Sequence, residues 1–330
     1  MDIGLTFDLQ TDPADDQQAE FDPPKTIEAL RRALESLGHH VTPLGSAGEL
    51  LRRGPKSCCN ADLIFNIAEG RHGRCREAWV PTLLDLYRVP YVGSDPLALA
   101  LGLDKVMTKR LAVAEGITTP RWLSPGHSRE LPDPIPLTFP VIVKPRFEGS
   151  GRGIDAGAIV HTPEALAARA RWLFERCEEP LIVEEFIPFG ELTVCVIGND
   201  PPVAYPAIQR PLDSATRLSC HVITPTPSQW ESPVTLDASL DTQARQIAVQ
   251  MFRSLGCHDM ARVDLRVDAQ GRLYFLEINP LPSFDPEGSL GLLAEYLGAT
   301  YAQLIGRILD AALVRLGYLS SLVHPVPLDS

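Results

Sequence analysis

From Ala261 to Pro282 the chain reads ARVDLRVDAQGRLYFLEINPLP, two runs of alternating apolar and polar residues on either side of Asp268-Ala269-Gln270-Gly271. Alternation with a period of two marks a half-buried strand, and turn-forming residues between two such runs predict a β-hairpin. In the first run Val263, Leu265 and Val267 fall on one side, and Arg262, Asp264 and Arg266 on the other. If Asp268 and Gly271 close a two-residue loop, the register puts Leu276 and Ile278 with the valines. Phe275, Glu277 and Asn279 then join Arg262 and Asp264. One face is core, and the other carries a carboxylate cluster.

Carboxylates gathered on a partly buried face repel one another and lose hydration, so they need a compensating cation. Asp264, Glu277 and Asn279 offer oxygen ligands only. Such donors suit magnesium, which keeps waters and binds through one or two carboxylates plus substrate phosphates. The expected partner is a nucleotide. The alternative is a solvated polar face on which Arg262 and Glu277 form a surface cross-strand pair.

The other periodicities divide the chain. An apolar strand from Asp2 to Asp8 leads through an acidic loop to a helix, with Pro23 and Pro24 in its first turn, Ile27, Leu30, Leu34 and Leu37 at helical spacing, and Gly38 as its stop. HHVTPLG, SAGELLRR and ADLIFNIAE read as strand, helix and buried strand, and a helix from Glu77 to Tyr87 and a strand at Tyr91 to Gly93 follow. This βαβ alternation predicts a parallel-sheet α/β domain over 1–120. The next stretch holds a strand at Val141 to Lys144, a Gly-rich loop, a strand at Ala156 to Val160, a helix from Pro163 to Cys177 and the strands LIVEEF and ELTVCVIG. That mixture predicts an α+β unit over 121–205. A third unit, 206–330, holds a helix from Thr242 to Leu255, the hairpin, and a last helix from Tyr301 to Leu316.

Composition narrows the function. The 330 residues are 45% hydrophobic and 22% charged, enough for substantial cores, with a formal net charge of −12 that argues against a nucleic-acid or membrane surface as main partner. No window approaches a membrane span and the N-terminus lacks the basic start of a signal peptide, so the expected compartment is the cytoplasm. The seven cysteines include one adjacent pair, Cys58-Cys59, but no C-x-x-C, and the eight histidines show no H-E-x-x-H. Neither a disulfide framework nor zinc chemistry is supported.

Glu148-Gly149-Ser150-Gly151-Arg152-Gly153 is a loose glycine motif between two strands, which rules out a dinucleotide-binding loop leading into a helix. A glycine hairpin can instead fold over phosphates and offer backbone N–H groups, with Lys144 at its base as a point charge. The alternative is a mobile surface hairpin. Lys105 reads by itself as an ordinary exposed lysine, and Glu184 and Glu191 flank a strand end where they either meet a nucleoside or face water.

Five segments in order, YVGSDPLALALGLDK, FPVIVKPRFEGSGRGI, LIVEEFIPFGELTV, SLGCHDMARVDLRVD and LYFLEINPLP, resemble the ATP-grasp superfamily and, within it, D-alanine-D-alanine ligase and its relatives. The resemblance covers nearly the whole chain and implies a three-domain ATP-grasp fold, α/β and α+β, with ATP between the second and third domains. It implies that Lys105 and Lys144 contact the phosphates under the loop of Glu148, Gly149, Ser150 and Gly151. It puts Glu184, Glu185 and Ile187 at the adenine hinge, the last two through backbone groups, and Glu191 at the ribose. Asp264, Glu277 and Asn279 would hold two magnesium ions, for which manganese can substitute, and Arg262 would be the catalytic cation. The implied partners are small carboxylate and amine substrates, amino acids by class, and a homodimer through the N-terminal domain.

The chain also departs from that pattern. DLQTDPADDQQAEFD stands where such ligases carry a Gly- and Ser-rich motif with an amine-binding glutamate, a role that would fall to Asp8 or Glu20. His72-Gly73-Arg74 and Glu77 resemble an H-G-x-x-G-E-D-G segment, with Arg76, Ala78 and Trp79 as replacements. His72, Arg74 and Arg76 are candidates for a substrate carboxylate and Glu69 for an amine, the alternative being a polar loop with incidental charges. Ser283 replaces a glycine, Ser289-Leu290 matches a Ser-Leu at the acceptor site, and no tyrosine- and lysine-bearing lid is evident between Ala207 and Pro233. The expected activity is ATP-dependent coupling of a carboxylate to an amine through an acyl phosphate, with a substrate pair other than two D-alanines. The competing readings are a non-catalytic ATP-binding protein and an authentic D-alanine-D-alanine ligase.

Overall fold

Three larger sheets carry the chain in the computed structural model, which describes residues 1–324 apart from 59, 178 and 220–229. The first is parallel, in the order β2-β1-β3-β4, from β1 (Asp2–Thr6), β2 (His40–Gly45), β3 (Leu63–Asn66) and β4 (Tyr91–Val92). Helices α1 (Pro24–Ser36), α2 (Ala47–Arg53) and α3 (Trp79–Tyr87) supply its connections. Pro24 opens α1 where a missing N–H costs nothing, and Ile27, Leu30 and Leu34 bury the stripe that their spacing predicts. All four residues of β3 are buried, as in a strand covered on both faces.

Two helices, α4 (Pro96–Leu103) and α5 (Lys105–Ala114), then cross to the second sheet, with Asp104 between them capping α5 through Val106 N and Met107 N. That sheet is antiparallel, in the order β5-β8-β6-β7, from β5 (Trp122–Leu123), β6 (Val141–Pro145), β7 (Ile159–Val160) and β8 (Leu181–Glu185), backed by α6 (Pro163–Phe174). The glycine loop joins β6 to β7, strand to strand, as the sequence predicts.

The third sheet contains β9 (Gly190–Ile197), β10 (Val203–Ala204) and β11 (Ile208–Gln209), then, after the small pair β12 (Leu212–Asp213) and β13 (Trp230–Glu231) and helix α7 (Ala238–Leu255), the hairpin β14 (Met260–Val267) and β15 (Leu273–Asn279). Strand β9, which a boundary at residue 205 leaves in the central unit, pairs with β14 along its whole length. Helices α8 (Ser289–Tyr296) and α9 (Tyr301–Arg315) end the described fold, and α9 shares one core with β1, β3 and α1. The C-terminal helix therefore closes the N-terminal sheet. Part of the Ala207 to Pro233 stretch, read as lacking a lid, lies outside the described residues, as does Cys59. No described helix is long and apolar enough to cross a membrane.

The hairpin register corrects one expectation. Asp268 N donates to Arg272 O at 3.1 Å and Gly271 has φ +78°, so three residues turn rather than two. That extra residue puts Phe275 opposite Leu265 in the core, fully buried. A bulge at Leu276 restores the alternation, pairing Asp264 with Glu277 and Arg262 with Asn279. Phe275 and Leu276 have exchanged faces relative to the two-residue turn, while Glu277 and Asn279 keep theirs.

Candidate active site

Because the bulge falls just before Glu277, the two carboxylates of the hairpin stand directly opposite each other on neighbouring strands. Arg262 grips Asp264 through Nη2 at 2.8 Å and Nε at 3.0 Å, and Thr193, the partner of Asp264 on β9, donates its hydroxyl at 2.6 Å. Asn279 Nδ2 reaches the same carboxylate at 3.4 Å. Burial works against the charge on Glu277, but Lys105, Lys144 and Arg262 outweigh it and hold its carboxyl at about 2. Both hairpin acids thus lie beside fixed cations, and Glu277 is ionised at neutral pH, as a metal ligand must be.

The lysines come from two elements. Lys105 opens α5, is 7% exposed, and sends Nζ to Glu148 O at 2.5 Å and towards Glu277 at 3.6 Å, so it is not the surface lysine its local sequence suggests. Lys144 sits in β6 with Nζ 2.6 Å from Glu184 on β8. A second lysine, Lys109, meets the other oxygen of Glu184 at 2.7 Å and donates to Thr119, whose hydroxyl donates to Phe275 O. Sequence reading missed Lys109. Its signal was the i, i+4 spacing from Lys105, which puts both on one face of α5. Burial opposes ionisation of Glu184, yet Lys109 and Lys144 hold it at about 2. Burial lowers Lys109 itself, whereas in Lys144 the attraction of Glu184 and Glu277 exceeds the burial effect and raises it.

Over these groups lies the glycine loop. Ser150 (φ 48°), Gly151 (φ 72°) and Gly153 (φ 73°) adopt left-handed backbone, which turns the chain back on itself. Gly149 N donates to Glu20 at 2.6 Å, and Arg152 binds Glu148 at 2.8 Å and Asp16 at 3.0 Å, so the acidic N-terminal loop holds the glycine loop from outside. One cavity is lined by Lys105, Lys144, the loop residues 148–151, Glu184 to Ile187, Glu191, Asp264 and Glu277. Its inner wall is apolar, with Ile142, Ile154, Phe186 and Leu276.

Within that cavity Glu185 is tied back, its N–H donated to Arg121 O and its carboxylate accepting from Thr138 N at 2.8 Å. Glu191 pairs at 2.9 Å with Arg266, which also donates to Ile187 O at 3.4 Å and Arg217 O at 3.0 Å and lies over the Phe186 ring. Strand alternation had put Arg266 on the Asp264 face without giving it a role.

The residues expected to bind substrate divide. Arg76 is 3% exposed and bridges Glu20 at 2.5 Å and Glu148 at 3.5 Å, and Glu69 and Glu77 lie beside it. Arg74 packs over Phe147 and reaches Asp104 at 3.3 Å, and His72 is exposed. Ser283 is exposed and accepts from Asp285 N at 3.2 Å, and Ser289 is buried and accepts from Arg210 at 3.5 Å.

Residues 130–310 match the family described as D-ala D-ala ligase C-terminus. The chain belongs to the D-alanine-D-alanine ligase family. It is 32% identical over 291 residues, 88% of this chain and 91% of the other, to a D-alanine-D-alanine ligase of Syntrophotalea carbinolica. Its fold is similar to the D-alanine-D-alanine ligase of Bacillus anthracis complexed with ATP, with a TM-score of 0.76 at 22% identity over 97% of this chain and 100% of that one. It is also similar to the VanG D-Ala:D-Ser ligase of Enterococcus faecalis, with a TM-score of 0.74 at 20% identity over 94% and 99%. As a member of this family the chain is an ATP-grasp ligase that forms a C–N bond, and the non-catalytic reading is set aside.

Proposed function

We propose that the protein couples an amino-acid carboxylate to an amine at the cost of ATP, releasing ADP and phosphate, with a substrate pair other than two D-alanines. The observation that carries this reading is the cross-strand pair Asp264 and Glu277 in the same cavity as Lys105, Lys144 and the glycine loop. Apolar walls suit a base, and paired cations under a glycine loop suit phosphates. In this reading Lys105 and Lys144 neutralise charge on the transferring phosphoryl group, where positioning and electrostatics supply most of the catalysis. Asp264, Glu277 and Asn279 are all-oxygen donors beside that position, a set that fits magnesium. Bound there, the metal would screen the phosphate charge.

The substrate carboxylate attacks the γ-phosphorus, the bond to the bridging oxygen breaks, and ADP leaves with that electron pair. An amine then adds to the acyl carbon, and phosphate departs as the amide forms. Arg262, always protonated and beside the hairpin acids, is set to stabilise the oxyanion of that addition. Among the similar proteins are a D-alanine-D-alanine ligase and a D-Ala:D-Ser ligase, which supports an acceptor that varies on this fold.

The test is phosphate release over a panel of amino-acid pairs. Robust turnover with D-alanine alone would overturn the proposed difference in substrate. An Arg262→Ala variant should still bind ATP and lose about 10²- to 10³-fold in amide formation. Unchanged coupling would remove Arg262 from the mechanism.

A further inference from the structure

Beyond the nucleotide cavity, past Gly149, lies a second group of acids that the reaction above leaves unexplained. It is assembled by two backbone devices. Asp22 N donates to Asp8 O at 3.0 Å and Gln10 N to Asp22 O at 2.9 Å, which folds the acidic loop back and brings Asp22 beside Asp8. After β3, Gly70 has φ +74°, and a Cβ there would lie 2.6 Å from Arg76 O, so the loop doubles over itself and returns Glu77 to Glu69. Asp8 accepts from Gly70 N at 2.8 Å and locks the two folds together.

Five carboxylates therefore share one region. Glu20 is held by Arg76 and Gly149 N, and Asp8 by Gly70 N. The side-chain carboxylates of the other three, Asp22, Glu69 and Glu77, have no hydrogen bond or ion pair to any described residue, although Asp22 is 8% and Glu77 7% exposed and Glu69 is half-buried. Glu69 lies within electrostatic reach of Glu77, Glu20 and Asp22, and Glu77 within reach of Lys105 at the phosphate end. The residues outside the described set contain no lysine or arginine. Arg76, already shared by Glu20 and Glu148, is the only buried arginine in this group.

Buried unpaired carboxylates are costly, and a complementary ligand cation relieves the cost. A metal ion is the poorer candidate, since among the described residues no three acidic, His or Cys side chains converge as metal ligands. One α-ammonium brings a single positive charge to three unpaired acids. Two ammonium groups on one ligand match them better, and the group borders the glycine loop through Glu20, which accepts from Gly149 N.

We propose that the carboxyl substrate is a diamino acid, whose α- and side-chain ammonium groups are received by Asp22, Glu69 and Glu77. The assignment rests on the ligase reading and narrows it to a substrate class. Burial, reinforced by their neighbouring acids, pushes Asp22 up to about 7 and Glu77 to about 8, so these groups hold protons in the empty protein and release them to solvent when a dication binds.

The test compares ornithine, lysine and 2,4-diaminobutyrate, in both hands, with norvaline, norleucine and 2-aminobutyrate. Each acid is given to the full-length enzyme with ATP, magnesium and a mixture of amine acceptors. A diamino acid should exceed its neutral counterpart at least tenfold in kcat/KM for ADP release. Calorimetry with a non-hydrolysable ATP analogue, in two buffers of different ionisation heat, should show protons released as the diamino acid binds. Glu69→Gln should cut the preference at least fivefold, mainly through KM. If neutral acids are used as well or better, or the diamino acids bind without releasing protons, the diamino assignment falls while the ligase reading stands. If no acid yields ADP and the analogue fails to bind, both fall. The comparison between substrates needs only the unaltered protein, so a variant that folds poorly does not remove the test.

Discussion

In the cavity under the glycine loop Glu184 is 2% exposed, flanked by Lys109 and Lys144 at 2.7 and 2.6 Å, and its carboxyl is held at about 2. On the far side of the glycine loop Glu77 is 7% exposed, has no ion-pair partner among the described residues, and its carboxyl is pushed up to about 8. The two acids are almost equally buried, so burial alone does not decide their state. The cation supply does. Where the protein builds its own ammonium partners, the acid is a fixed anion that orients lysines. Where no cation pairs with it directly, burial and neighbouring acids keep the carboxyl protonated to higher pH.

The largest break in this contrast comes from removing a cation beside the paired acid. Lys109→Met should destabilise the fold by about 3–5 kcal/mol, because a buried ion pair that loses one member leaves a charge uncompensated. Urea unfolding measures it. Adding Glu184→Gln should recover a substantial part, since the second substitution removes the stranded charge. A single variant as stable as the parent would mean that Lys144 alone satisfies Glu184.

Lys109 also shows where the sequence was hard to read. Its helical spacing from Lys105 was visible, but its partner lies on β8, far along the chain, and only the packing of α5 against the second sheet brings them together. The hairpin was legible as to which acids share a face and illegible in its turn. A three-residue loop and a one-residue bulge each shift the register, and their effects cancel at Glu277 while exchanging Phe275 and Leu276. Alternation constrains parity, and two parity errors leave no trace at the strand's end. Similarly, Glu69 and Arg76 could be marked as polar loop residues, but the fold-back at Gly70 that sets Glu69 beside Glu77 depends on one close backbone contact. His72 and Arg74 came from the same loop, yet His72 is exposed and Arg74 packs over Phe147 and reaches Asp104, because a motif fixes order along the chain and not direction.

A smaller effect, of opposite sign at the two acids, is expected from pH. Glu77 has a folded-state pKa of about 8 against an ordinary 4.5, so the native protein holds more protons than the unfolded chain between those values. Stability from this group is complete below about pH 4.5 and is lost as pH rises through about 8. Glu184 behaves inversely: its contribution is present above 4.5 and lost as pH falls towards about 2. Unfolding free energies measured between pH 5 and 8 should therefore fall, with a change on the order of 2 kcal/mol after allowing for coupling to Glu69. Glu77→Gln should flatten that slope. A slope of the parent's size in the variant would show that Glu77 does not titrate with folding.

The smallest expected effect separates burial from mere acidity. Asp12, Asp15, Asp16, Glu20 and Asp22 read as one acidic stretch, yet the structure divides it, with Asp16 76% exposed in its side chain and Asp22 buried. Asp16 has a cation, Arg152 at 3.0 Å on the glycine loop, but both it and the pair are open to water, where salt and side-chain entropy reduce the gain. Asp16→Asn should change the unfolding free energy by less than about 1 kcal/mol and leave the slope between pH 5 and 8 as in the parent. Asp22→Asn, which removes an acid from the unpaired group, should reduce that slope and weaken binding of a diamino acid. If Asp16→Asn altered the slope as much as Asp22→Asn, the net charge of the loop would be responsible rather than the desolvated acids inside it. The contrast between the two acids would then reduce to a count of charges.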